Sequence, residues 1–380
     1  MERRSFLRAA VVGAGSAAFG FSVTREALAY PAKTGPSPYG SLLPADANGI
    51  MLPSGFTSRV IARSTQTVAG TGYVWHSAPD GGACFADGTG WIYVSNSEIS
   101  GSGGASAIRF DANATITGAY RILSGTNRNC AGGATPWNTW ISCEEVDTGY
   151  CWETDPTGVK PAVRRAAMGR FNHEAAACDP VRKVVYLTED KTDGGFYRFV
   201  PTVWGDLSAG TLQVLKNDLT WATVPDPDGS PTTTRKQVSG MKVFNGGEGA
   251  YYRNDKCYFT TKGDNKVWVY DAAANTLQTV YDDDLTSNPP LTGVDNITAD
   301  AHVGDLFVAE DGGNMEICVI TPTDVVAPFL RVTGQSASEL CGVAFNPAGN
   351  RLYFSSQRGT TGSSSGGITY EVTGPFRTGL

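Results

Sequence analysis

Trp91-Ile92-Tyr93-Val94-Ser95-Asn96-Ser97-Glu98 is the first of six related runs in this chain. The others are TWISCEE (139–145), VVYLTED (184–190), YFTTKGD (258–264), LFVAEDG (306–312) and LYFSSQRG (352–359). Each mixes apolar and small residues at the two-residue period of a strand and closes on a polar cluster. Registered on Ser95, Ser142, Thr188, Thr260, Ala309 and Ser355, the runs recur at intervals of 47, 46, 72, 49 and 46 residues. A four-stranded unit of roughly 40–50 residues cannot bury both faces alone and stacks on copies of itself around an axis. Six runs therefore predict an all-β, six-bladed β-propeller. The wide interval predicts an insertion near 202–242, and the Pro/Gly-rich stretch 30–56 is expected to wrap the body or close the ring.

The composition agrees, with 46 glycines and 20 prolines in 380 residues for many short strands and tight turns. Residues 1–29 stand apart. Arg3-Arg4-Ser5-Phe6-Leu7, a weakly apolar run and Ala27-Leu28-Ala29 read as a twin-arginine signal, leaving 30–380 as one propeller domain. The apolar run is too short and glycine-rich for stable membrane insertion. That signal carries four arginines and two glutamates, so without it the formal charge moves from −7 to −9. An acidic, secreted or periplasmic chain is a poor nucleic-acid binder and is expected to act as a monomer on a small substrate. Its export route carries folded proteins, which allows metal to be inserted beforehand.

A second set of polar residues precedes the runs by one hairpin: Glu174 before Glu189, Glu248 before Thr261, Asn296 before Glu310, and Glu339 before Ser356. In an antiparallel hairpin the start of one strand lies beside the end of the next, so both sets collect at one mouth of the central channel. Cys143, Glu144, Glu145, Glu174, Glu189, Asp190, Glu248, Asp295, Asn296, Glu310, Asp311 and Glu339 are expected there. So many carboxylates cannot remain ionised together without cations. Only three histidines exist, His76, His173 and His302, which argues against a histidine-rich zinc site. His173 alternates with Glu174 and so points to the opposite face, as a packed side chain. Oxygen-rich sites suit calcium, and a thiolate among carboxylates suits a transition ion such as iron. Eight cysteines in an exported chain suggest disulfides, Cys318 with Cys341 among the candidates.

The stretches 135–145, Gly169-Arg170-Phe171-Asn172-His173-Glu174 and 186–190, with Glu248-Gly249, Asp295-Asn296, Glu310-Asp311-Gly312 and 339–345, resemble the PhoX-type alkaline phosphatase family. The resemblance spans about 210 residues in the family's order. It implies an exported propeller that holds iron and calcium and hydrolyses phosphomonoesters. It also implies Cys143, Glu174 and Glu248 as iron ligands, with Glu144, Glu145, Glu189, Asp190, Asn296, Glu310, Asp311 and Glu339 completing iron or calcium sites. In the family an arginine tends to stand two residues before the equivalent of Glu248; here that residue is Gly246. Lys262 and Arg358, at strand ends on the same mouth, are the expected catalytic cations. The alternatives are a metal-dependent phosphodiesterase or lactonase, and a propeller that metals only stabilise.

Overall fold

The computed structural model describes residues 31–379, so the expected signal at 1–29 lies outside the described residues. The architecture is a six-bladed β-propeller. The first blade runs outward through Pro79–Asp87, Gly90–Ser97, Gly103–Phe110 and Ile116–Thr126, and the second through Asn129–Ala134, Trp140–Glu144, Cys151–Thr154 and Val163–Arg164. Blades three to six begin at the inner strands His173–Asp179, Gly247–Arg253, Val294–Ala299 and Leu340–Phe345. Each inner strand packs on the next around the axis, and Leu340–Phe345 returns to Pro79–Asp87.

Ring closure differs from the sequence expectation. Thr57–Arg63, just past the stretch expected to wrap the body or close the ring, is the outermost strand of the sixth blade, paired antiparallel with Ile368–Thr373. Its alternation suits either neighbour, and the repeat interval says nothing about which one takes it; closure joins chain segments about 310 residues apart and removes an open edge. Residues 31–56 wrap the fifth blade, where Lys33–Thr34 pairs in parallel with Val325 and Val326, and Ile50–Met51 pairs with Val332 and Arg331. The long interval holds a fifth strand of the third blade, Trp221–Thr223, and a loop whose Arg235 reaches Glu189 and Asp193.

Apolar layers between blades hold the ring. Ile141 and Cys143 of the second blade pack with Leu187, Tyr197, Phe199 and Leu212 of the third. Each large aliphatic or aromatic side chain buried there contributes roughly 1.5–3 kcal/mol. Around the axis the inner strands approach too closely for side chains at some points: a Cβ on Gly133 would lie 1.8 Å from the carbonyl oxygen of Ala176. Small residues are thus required where the blades converge.

All six inner strands share one irregularity. Pairing with the second strand slips between Pro79 and Gly82, Asn129 and Gly132, His173 and Ala176, Gly247 and Ala250, Val294 and Ile297, and Cys341 and Ala344. A bulge breaks strict alternation and re-aims a side chain. The first residue inside each bulge is Asp80, Cys130, Glu174, Glu248, Asp295 or Gly342.

Candidate metal centre

The bulges bring five of these six positions together as ligand-bearing side chains. Ligand atoms of Asp80, Glu98 and Cys130 lie within 4.8 Å of one another, as do those of Cys130, Glu145 and Glu174, and of Glu174, Glu248 and Asp295. The three sets share Cys130 and Glu174, making one continuous cluster. Glu98 and Glu145 directly follow the second strands, one residue past the partners of Pro79 and Asn129.

Glu174 is its centre. It is fully buried, and neither carboxylate oxygen has a hydrogen-bond donor among the described residues. Burial, then Glu248, Glu145 and Asp295, hold its carboxyl well above the usual range. Burial and then Glu98 push Asp80 up to about 7 and Glu145 up to about 8. Burial likewise raises the Cys130 thiol, with Asp80 and Glu174 adding to it. Every one of these shifts marks a site that disfavours bare negative charge.

Cations of the chain pair with carboxylates around Glu174 but not with Glu174 itself. Lys262 Nζ lies 2.9 Å from Glu248 Oε1 and 3.2 Å from Asp311 Oδ2. Burial disfavours its charge, yet Glu248, Asp295 and Asp311 outweigh that and hold it protonated. Arg128 bridges Glu98 and Glu145 at 2.6 Å each, and Arg358 Nη2 donates to Glu339 at 3.0 Å. The charge of Asp190 adds to the upward shift of Glu145, and burial, Asp80 and Asp311 hold Glu339 well above the usual carboxylate range. Asp80, Glu98, Glu145, Glu174, Asp190, Glu248, Asp295, Asp311 and Glu339 thus face three cations.

The structure brings Glu145, Glu174, Asp190, Glu248, Asp311 and Glu339 to the mouth, with Lys262 and Arg358. It turns five expected ligands elsewhere. Cys143 faces its cross-strand partner Cys151, with the sulfurs 3.8 Å apart in the layer between blades two and three. Ladder pairing equates Ser142 with Leu187, not with Thr188, and a slip of one residue turns a side chain to the other face. In the corrected frame Glu144, Glu189 and Glu310 are equivalent, and all three cap loops. Glu144 accepts from the amides of Asn127 and Tyr150, Glu189 from Gly195 N and Arg235, and Glu310 from Thr292 N and Glu316 N. Asn296 Oδ1 accepts from Gly342 N at 2.6 Å, tying blade five to blade six. Nor are Cys318 and Cys341 joined; they donate to the carbonyls of Pro290 and Pro79. His173 is a packed side chain as expected, stacked on Phe171 with Nε2 at 3.0 Å from Gly169 O.

Sequence reasoning missed Asp80, Glu98, Cys130 and Arg128. The signal was present: Cys130 precedes Glu145 by 15 residues, much as Glu174 precedes Asp190 by 16.

The profile of the alkaline phosphatase PhoX matches residues 92–150 and 146–275, a stretch that carries Glu98, Cys130, Glu145, Glu174, Asp190, Glu248 and Lys262. The chain is a PhoX-type family member. Among solved structures it is similar to Pseudomonas fluorescens PhoX in complex with vanadate, a transition-state analogue. That likeness has a TM-score of 0.70 at 16% identity and covers 89% of this chain and 98% of the other. A Bacteroides thetaiotaomicron protein of unknown function shares the fold at a TM-score of 0.53 and 8% identity, covering 84% of this chain and 76% of the other. No curated protein matches by sequence. Asp80, Asp295, Asp311 and Glu339 lie outside the PhoX-matched stretch, so this half of the cluster is defined here by the fold alone. Among the described residues no helix is long and apolar enough to cross a membrane.

Proposed function

We propose that this PhoX-type propeller is an exported, metal-dependent phosphatase that hydrolyses phosphomonoesters. The observation that carries the reading is Glu174, a fully buried carboxylate without a donor among the described residues, set between Cys130 and Glu145 on one side and Glu248 and Asp295 on the other. An uncompensated buried charge costs several kcal/mol, so this donor set fits cations and little else. Cys130, Glu145 and Glu174 would hold iron, since a thiolate favours a transition ion. Asp80 and Glu98 beside Cys130, and Glu248 and Asp295 beside Glu174, add the oxygens that suit calcium or further iron. Such ions, when bound, neutralise the carboxylates and polarise the phosphoryl oxygens as Lewis acids.

The chain's own residues bind and orient the substrate. Lys262, Arg128 and Arg358 ring the mouth, each already held by a carboxylate that fixes its direction. A phosphoryl dianion approaching an acidic mouth needs these fixed donors, and preorganised cations aimed at developing charge stabilise the transition state. Lys262 supplies the positive charge at the fourth blade, where the backbone at Gly246 carries none.

The test is phosphate release from an aryl monoester by the native, metal-replete protein, run beside a diester and a lactone. Monoester turnover that chelation abolishes and calcium restores, and that falls at least a hundredfold in Glu248→Gln, is the expected result. Equal rates for Glu248→Gln and the unaltered protein, or turnover of the diester or lactone alone, would overturn the reading.

A further inference from the structure

Beside the mouth a second cavity of about 470 Å³ opens between the first and sixth blades. Its walls include Arg121, His76, Ser77, Ser97 and the serines of the 363–365 loop, and among the described residues no carboxylate lines it. In a chain of net charge −7, next to a mouth crowded with acids, that contrast is chemical information.

Arg121 supplies the cavity's formal charge. Among the described residues it makes no ion pair; its guanidinium donates to Gly103 O at 2.8 Å and Ser106 Oγ at 3.4 Å, both neutral. Ser106 Oγ is also held by His76 Nδ1 at 2.8 Å and Tyr73 Oη at 2.7 Å. Burial, then Arg121, push His76 down to about 3, so the imidazole stays neutral and orients Ser106 without adding charge. An arginine with spare donors, surrounded by hydroxyls, is a receptor for an oxyanion.

Its position relative to the cluster is set by the backbone. Ser97 immediately precedes Glu98, Ser77 is three residues before Asp80, and Gln357 Nε2 bridges Asp80 and Glu98 at 2.6 and 2.8 Å. The amide of Ala78 is held by Ser364 O at 2.7 Å, which fixes the serine loop to the same strand. At roughly 3.3 Å per residue, Ser77 lies within about 10 Å of Asp80, and Arg121, on the fourth strand of the blade, stands three strand spacings or about 14 Å out from the inner strand.

We propose that this cavity is a subsite for a second phosphoryl group on the leaving-group side of the substrate, so that the preferred substrates are small bisphosphates. The proposal rests on the phosphatase reading above. The mouth takes the phosphoryl group that is hydrolysed, and Arg121 with Ser97 and the 363–365 serines takes the other.

The experiment compares an aryl monophosphate with a linear alkanediol bisphosphate on metal-replete protein. The ratio of their kcat/KM values should fall about tenfold or more in Arg121→Met, as expected for loss of a charge-assisted hydrogen bond. Arg121→Lys should recover part of the ratio. Ser364→Asp, which keeps Arg121 and its bonds, should depress the ratio by putting a carboxylate in the cavity. Independently of turnover, a non-hydrolysable alkanediphosphonate should bind about tenfold more tightly than the matching alkylmonophosphonate, and this preference should vanish in Arg121→Met. No turnover of either substrate with the binding preference intact would sink the phosphatase reading and leave the subsite standing. Turnover with no such preference, or a preference that survives both Arg121→Met and Ser364→Asp, would overturn the subsite.

Discussion

Glu174→Gln should change stability in opposite directions with and without metal. In the chelated protein Glu174 is a fully buried carboxyl with no donor, facing Glu145, Glu248 and Asp295. A buried charge left without a partner costs roughly 3–5 kcal/mol, whether it stays ionised or is forced to take up a proton. Glutamine has nearly the same shape, carries no charge and can donate to those same carboxylates, so the chelated variant should be more stable by about 3 kcal/mol. In the native protein the same change removes an anionic ligand shared by both halves of the cluster. Metal affinity should fall by about a hundredfold in each half of the cluster, roughly 2.7 kcal/mol per ion lost from the folded state, which over two ions exceeds the gain seen in the chelated chain. The assay is denaturant unfolding of both proteins, before and after exhaustive chelation, with elemental analysis of the native samples. A variant less stable than the unaltered protein in both states would refute the reasoning, because it would make Glu174 a structural group whose partners are other than cations.

Cys130→Ser should remove most of the iron and its visible absorbance while the circular dichroism stays unchanged. Cys143→Ser should retain the iron and lose roughly 1–3 kcal/mol by burying a hydroxyl between the blades, and iron lost from Cys143→Ser alone would reverse the assignment. Gly246 has φ +69°, and a Cβ there lies 3.3 Å from Asp190 Oδ1. Gly246→Arg should therefore cost about 1 kcal/mol in unfolding experiments yet raise kcat/KM for a monoester, and an unchanged kcat/KM would show that this edge of the mouth does not meet substrate. His76 is held at about 3 against an ordinary 6.5, so the unfolded chain takes up that proton first and stability falls as pH drops below about 6.5. Relative to His76→Asn, the unaltered protein should lose roughly 3 kcal/mol between pH 6.5 and pH 4, and a pH-independent difference would contradict a neutral buried imidazole.

Blade number and the inner strands near Glu174, Glu248, Asn296 and Glu339 were legible in the sequence because they depend on local properties. Strand alternation has a fixed period, turns have a characteristic chemistry, and a blade that cannot bury itself must recur. The acids of the mouth were legible for a related reason: a hairpin places its two polar ends together whatever the rest of the chain does. Which acids face inward was another matter. The bulge at residues such as Glu174 and Glu248 breaks strict alternation, and once alternation is broken a one-residue error exchanges Cys143 for a core position and hides Glu144, Glu189 and Glu310 in loop caps. The same error left Cys130 unseen, although it stands at the right spacing. Ring closure by Thr57–Arg63, and the meeting of Asp80 from blade one with Gln357 from blade six, join segments hundreds of residues apart. Such contacts form only when all six blades have stacked, so sequence alone determined the repeating unit and its polar end, and the closed tertiary structure decided which side chains of that end share one site.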